Sequence, residues 1–425
     1  MSGLITPSLE EMENVAKEMK RQGLTIPLMI GGATTSKIHT AARIAPLYHG
    51  PSIHVENASR SVVVVNDLMN KKGNDIAVQD YKHRHDIALS KNQSNKIKNE
   101  LLSLEEARKR KFNINWQSHI SHTPEKLGVT VLKDFPIEEL VPYINWPQFL
   151  KAWGLHAKQN SDKTAMTQSE RVIEDARKLL QRIIDNKLLR AKAAIGLFPA
   201  NGIGDDIAIY SNDDRTEVKA INYNLRQQED IISNKFNLCL SDFIAPKESG
   251  VKDYIGAFAL SVGFGANKLS RTFEYEGDDY NLILTQSLAD RLTEAFSEKL
   301  HFLVRTKYWG YAKDEKDNET GIINKKYIGI RPAPGYPSCP DHSEKRTIFN
   351  LLETTANTGI ELTENCALIP AASVAGWYIA HPQAFNFSVS KIGDDQLADY
   401  AGRKGILLAE ASRWLRSNLP PLVNI

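Results

Sequence analysis

At 425 residues the chain is long enough for roughly two to four domains of ~100–200 residues each, and it can bury sizeable cores without covalent staples. Hydrophobic residues at 42% and charged residues at 24% exclude a wholly disordered or collagen-like chain. Lys+Arg of 53 against Asp+Glu of 51 leaves a formal net charge of +2, so no global field draws in nucleic acid or an anionic membrane. The three cysteines, Cys239, Cys339 and Cys366, stand far apart without a CxxC pair, which argues against a disulfide framework or a cysteine zinc site and for a reducing compartment. No basic leader with a long apolar stretch opens the chain, and no run of ~18 apolar residues occurs anywhere, so a cytoplasmic location is expected.

In chain order, Ser8-Leu9-Glu10-Glu11 has capping-box spacing, and Leu9, Met12, Val15, Ala16 and Met19 recur at helical intervals until Gly23. Ile26 to Ile30 forms a short apolar strand that ends in Gly31-Gly32, and a second helical pattern runs through His39 and Ala42. Ser52 to Val55 predicts another strand, followed by Asn57-Ala58-Ser59 as a cap and a helix carrying Val62 to Val65 and Leu68. Alternating strands and helices imply a parallel sheet. Such a sheet needs more than two strands, so further strands are expected upstream of Met1. From Asn70 to about Lys111 polar and charged residues dominate, which predicts a connecting arm. Its run Arg108-Lys109-Arg110-Lys111 is read as a solvated face rather than a phosphate-binding patch.

Beyond the arm, helical patterns occupy Pro136–Trp153, Ser161–Lys192 and Leu282–Lys307. Strand patterns occupy Ala194–Phe198, Asp206–Tyr210, Val218–Asn222, Tyr254–Val262, Ala372–Tyr378 and Phe385–Val389, with Asn201-Gly202 as a hairpin signal. Without regular alternation, these predict a mixed helical domain around an antiparallel sheet. The fold class is therefore α+β: a truncated, Rossmann-like α/β segment over 1–70, a charged arm over 71–124 and the larger domain over 125–425.

The segment richest in chemistry is Ile330 to Pro340, where four prolines and Gly335 rule out a helix interior or a central strand and fix an extended loop before any ligand arrives. Arg331 offers a planar fork for a carboxylate, Gly335 admits close approach to the backbone, and Tyr336 supplies a flat face with a polar tip. A small zwitterion with an aromatic ring fits such a loop. Composition alone leaves open a structural crossover with Arg331 in an ordinary ion pair. Gly31 to Ser36, at a strand-to-helix corner, could meet a phosphate, but the signal is a lone one and glycines at such corners are more often steric. His83-Arg84-His85 has a cation between its imidazoles, and the other histidines scatter without HExxH spacing, so no metal site is predicted. His342 and His381 are read as structural or surface residues.

Several longer stretches carry a resemblance: Gly3 to Ser8, Ile30 to Lys37, Val55 to Arg60, Gly196 to Asn201, Tyr308 to Ala312 and Arg331 to Pro337. In order and spacing they resemble the C-terminal half of cobalamin-dependent methionine synthases, over nearly the whole chain. The resemblance implies the end of a cobalamin-binding module followed by a complete activation domain that binds S-adenosylmethionine. In that family the domain rescues oxidised cobalamin with S-adenosylmethionine and one electron, commonly from a flavodoxin, so the chain would be a repair module acting with the upstream portion of the synthase.

By that resemblance Arg331 holds the methionyl carboxylate, Ala333, Gly335 and Tyr336 line the adenosine side, and Glu294 meets the ammonium end. Asn145 and the pair Asn386-Phe387 occupy further positions of the same site. The family usually has Asp at the first and an aromatic pair beginning with Tyr at the second, which implies a looser or differently tuned pocket. Ser2, Thr6 and Ala58 match positions lining the buried nucleotide tail of cobalamin, and Ser8 matches the serine of a His-Asp-Ser relay beneath the cobalt. The lower histidine ligand and the homocysteine and folate modules with their zinc would lie upstream of Met1. The chain alone is therefore expected to bind cobalamin poorly and not to make methionine. The competing expectation is a docking module for a flavodoxin or a cobalamin-carrying subunit, without turnover of its own; neither nucleic acid nor membrane is expected as a partner.

Overall fold

The computed structural model describes residues 1–3, 8–32, 34–55, 61, 64–66, 68, 101–155, 163–230, 236–316 and 327–420. Thr6, Ala58 and the His83–His85 triplet lie outside them. The chain packs into two compact units, the first formed by Met1–Arg110, Gln227–Asn237 and Ser390–Ile425, the second by Lys111–Arg226 and Leu238–Val389. Among the described residues no helix is long and apolar enough to cross a membrane, and no group of three or more His, Cys, Asp or Glu could hold a metal.

In the first unit, helix α1 (Ser8–Arg21) buries Leu9, Met12 and Ala16, the i, i+3, i+7 face that the sequence pattern marked. It ends where Gly23 adopts φ +71°, with the Gly23 and Leu24 amides donating to the Lys20 and Met19 carbonyls. Strand β1 (Leu28–Ile30) pairs in parallel with β2 (Ser52–His54), and Ser2 extends this pairing through a parallel bridge to Gly31. The predicted second helix is a composite: Ser36 caps Lys37–His39 by accepting from the His39 amide at 3.0 Å, and a wider π turn then runs over Thr40–Ile44. Helices Asp394–Lys404 and Leu408–Trp414 belong to this unit too. Arg416 fixes the C-terminal stretch to α1 by donating to both Glu13 carboxylate oxygens, at 2.8 and 2.7 Å.

The second unit is built on an antiparallel sheet in the order β8-β7-β4-β5-β6, where β4 is Arg190–Ile203, β5 Asp206–Tyr210, β6 Val218–Asn222, β7 Asp253–Phe264 and β8 Ser373–Tyr378. Strand β3 (Gly128–Phe135) pairs with the first half of β4, and β5 pairs with its end. Period-two alternation divides these strands between two cores. Ala193, Ile195 and Leu197 of β4 with Phe258, Leu260 and Val262 of β7 face one; Ala194, Phe198 and Ala200 with Ile255, Ala257 and Ala259 face the other. Both faces are covered, which explains why β4 and β7 read as nearly continuous apolar runs although the sheet is antiparallel. Helix α2 (Asp279–Leu303) covers the first face with Leu284, Leu288, Leu292, Phe296 and Leu300, and α3 (Lys345–Leu352) covers the second with Ile348, Leu351 and Leu352.

Two local expectations need correction. Asn201-Gly202 is not the hairpin turn: β4 runs through it, and the reversal falls at Gly204-Asp205, with Gly204 at φ +64° and Ile203 opposite Asp206. The Asn201 amide instead donates to the Ala245 and Val251 carbonyls at 2.9 and 3.0 Å, so this Asn-Gly serves tertiary packing. Phe385–Val389 is irregular rather than a strand.

Candidate functional site

The loop after Gly329 is held as an edge to β8 by its own backbone. The Ile330 amide donates to the Ile379 carbonyl at 2.9 Å and the Ile379 amide donates back to the Ile330 carbonyl at 3.0 Å, while the Trp377 amide donates to the Pro332 carbonyl at 2.8 Å. Further on, the Tyr336 amide reaches the Ala333 carbonyl (3.1 Å), Gly335 the Cys339 carbonyl (2.7 Å) and Cys339 the Tyr336 carbonyl (2.9 Å), which closes a tight turn. Proline removes donors here, and the Ile330, Gly335, Tyr336 and Cys339 amides are all employed, so the loop is stiff without being part of the sheet. Gly335 sits at φ +95°, and a Cβ there would collide with the His342 ring. The glycine is required twice over, by its backbone conformation and by close approach.

This loop forms one wall of a cleft of about 890 Å³ within the second unit. Arg331, Ala333 and Tyr336 line it from the loop, and Glu294 from α2. Asn145, with Gln148 of the short helix Trp146–Ala152, and Asn386 with Phe387 complete it. Gly335 shapes the turn between Ala333 and Tyr336. The sequence-predicted S-adenosylmethionine residues thus converge on one space from four separate stretches of chain. Tyr336 is 58% exposed, so its ring is presented rather than packed away. Phe387 stands against Phe243 with ring centroids 6.4 Å apart. Asn145 has a local duty as well: its side-chain oxygen accepts from the Gln148 amide at 3.0 Å and caps that helix, a role an Asp would also fill.

The electrostatics come mostly from α2. Asp290, Glu294 and Glu298 recur every four residues, so they share one helix face, and all three line the cleft. Burial raises the pKa of Asp290, an effect Arg291 opposes. Burial likewise raises that of Glu294; Arg291, 2.8 Å away, opposes this, and the like charges of Asp290 and Glu298 add to it. Arg331 is already ion-paired. Its Nη1 donates to Glu298 Oε2 at 2.8 Å, its Nη2 donates to Glu298 Oε1, and Nη1 also reaches the Tyr327 hydroxyl at 2.9 Å. The possibility that Arg331 sits in an ion pair is therefore realised, and it is realised inside the cleft. Below it His301 is fully buried, its pKa driven well down by burial and by the Arg305 and Arg331 charges. Tyr378 stacks on it at 5.0 Å.

Glu298 and Asp290 were not singled out from the sequence. The signal was there, as carboxylates at i, i+4 and i+8 within a strongly apolar helical pattern, but nothing in the chain marked that face as turned toward Arg331.

At the Gly31-Gly32 corner the steric reading holds. Gly32 (φ +107°) backs onto the Gly3 backbone, where a Cβ would collide, and the Thr34 and Thr35 hydroxyls donate to the Gly3 and Gly32 carbonyls at 3.0 and 2.9 Å. Of the cobalamin candidates, Ser2 lies exposed at the edge of the parallel pairing and Ser8 opens α1, half-buried. His342 and His381 are both buried.

Fold and cleft together define a class: an α+β ligand-binding domain whose site joins a guanidinium, a carboxylate face and an exposed phenol ring. Residues 136–405 match the family model for the vitamin B12 dependent methionine synthase activation domain, and the chain belongs to that family. It is similar to a crystal structure of the MetH reactivation domain bound to AdoHcy, at 44% sequence identity and a TM-score of 0.73, over 75% of this chain and 98% of that one.

Proposed function

We propose that the chain binds S-adenosylmethionine in the Arg331–Tyr336 cleft and thereby supports reductive methylation of cobalamin in the synthase of its family. The observation that carries this is the convergence of Arg331, Glu294 and Tyr336 on one open cleft, in a chain 44% identical to a domain crystallised with AdoHcy. Arg331 takes the ligand carboxylate, Glu294 its ammonium group, and the Ala333–Tyr336 turn its adenosine. The carboxylate face of α2 suits a ligand whose sulfonium adds a positive charge. A cleft of about 890 Å³ exceeds what a nucleoside amino acid fills, leaving an open side toward a second large reactant.

Cobalamin supplies the cobalt chemistry, a nucleophile for the sulfonium methyl; the protein supplies orientation. By the family resemblance, the Ser2 and Ser8 hydroxyls of the first unit would meet the polar tail of that cofactor. The partners of this reading are the upstream portion of the synthase and an electron donor such as a flavodoxin, in the cytoplasm.

The test mixes the full chain with a cobalamin-loaded upstream portion, a reductant and S-adenosylmethionine labelled in its methyl group. Label on the corrin supports the reading. Complex formation without methyl transfer favours a docking module instead.

A further inference from the structure

We propose that Glu298 is the positioning residue of the cleft, holding the Arg331 guanidinium by one edge so that its other edge is set for a ligand carboxylate. This rests on the binding reading above and deepens it. A guanidinium offers five N–H donors in a rigid fork, and two of its edges can each take a carboxylate bidentately. Glu298 occupies the Nη1/Nη2 edge with both oxygens. The Tyr327 hydroxyl accepts a further Nη1 hydrogen at 2.9 Å, and His301 Nδ1 lies 3.4 Å from the same nitrogen. Nη1 is thereby spent, and its plane is fixed from three sides. Among the described residues Nε has no partner, so the Nε/Nη2 edge is the one left to a ligand.

Charge supports the same assignment. Arg331 and Glu298 neutralise one another, with side chains only 20% and 16% exposed, and Arg291 partners Glu294. Asp290 then leaves the lining with an excess negative charge, complementary to a sulfonium zwitterion of net charge +1. An unpaired Arg331 would cancel that excess and would turn between rotamers. A fixed fork costs less entropy to engage than a mobile one, so Glu298 improves binding without touching the ligand.

The experiment is calorimetric titration of the full chain and of Glu298→Gln and Glu298→Asp with two ligands: S-adenosylmethionine, and 5′-methylthioadenosine, which shares the nucleoside but lacks the amino-acid end. Glu298→Gln is expected to weaken S-adenosylmethionine by about tenfold or more, as loss of a charge-assisted pair implies, while methylthioadenosine changes less than about twofold. Glu298→Asp is expected to recover part of the loss. Equal weakening of both ligands, or variants that do not fold, would show a merely structural carboxylate and overturn the proposal. Tighter S-adenosylmethionine binding by Glu298→Gln would overturn it in the opposite sense, with Glu298 competing for the fork. An unmutated chain that binds neither ligand sinks the underlying reading and this inference with it, whereas binding of both with no Glu298 selectivity sinks this inference alone.

Discussion

At the scale of single residues, the loop from Arg331 to Tyr336 is set from below by a buried cation. The Lys345 ammonium donates to His342 Nδ1 at 2.8 Å and to the Cys366 carbonyl at 3.0 Å, and the His342 ring fills the space beside Gly335. Gly335→Ala would force that ring aside and strain a residue at φ +95°, so we expect it to cost about 1–3 kcal/mol in denaturant unfolding and to lose ligand affinity. Burial lowers the Lys345 pKa from its ordinary 10.5 to about 8. Between those values the unfolded chain holds more protons than the folded one, so this group makes stability rise with pH from about 8 toward 10.5. Urea midpoints at both ends of that window should show this slope in the unmutated chain and a smaller one in Lys345→Met; an unchanged slope would assign it elsewhere. Arg331, Gly335 and Tyr336 were legible because proline density and residue chemistry single out a stiff loop. Glu298 was not, because its meaning depends on a partner 33 positions away.

The elements show where pattern suffices. Strands β5 and β6 run as alternation predicted, and α2 came within a few residues of its apolar period. Ends were less legible: β4 extends well beyond Ala194–Phe198 because residues buried on both faces carry no alternation to mark a boundary. Strand β3 went unread, since its partly exposed residues give a weak signal and its pairing with β4 is interrupted by a register shift after Leu132. Helix α2, which carries Asp290, Glu294 and Glu298, is the element on which the site depends. Its N-cap Asp278 accepts from the Asn281 amide at 3.0 Å, and Asp278→Ala should cost about 1 kcal/mol. Leu292, fully buried under the sheet, should cost about 2–5 kcal/mol on change to Ala, with the cleft disturbed as well. Thermal unfolding of both variants gives the comparison; a Leu292→Ala loss no larger than that of Asp278→Ala would contradict the packing described.

Across the whole molecule, histidines buried in the neutral form make a shared prediction. His39, His342 and His381 are lowered to about 4, each chiefly by burial, and His301 is lowered well below its usual value for the same reason. Unfolded, these imidazoles take protons near pH 6.5; folded, they resist until far lower. Stability is therefore present in full above about pH 6.5 and falls as the pH drops toward 4. Denaturation at a series of pH values should show that decline, and a flat profile over the window would contradict the burial described. The α+β class and the family were legible in the whole chain, the first through mixed strand and helix periods, the second through long stretches in register. The convergence of four distant segments on one cleft was legible only through that resemblance, because no local pattern encodes it.

The most direct measurement is calorimetric titration of the full chain with S-adenosylmethionine, alongside Tyr336→Ala. One-to-one binding, weakened about tenfold when the ring proposed to meet adenosine is removed, is the predicted result. A silent titration of the unmutated chain, or equal affinity with and without that ring, would contradict the assignment of the cleft.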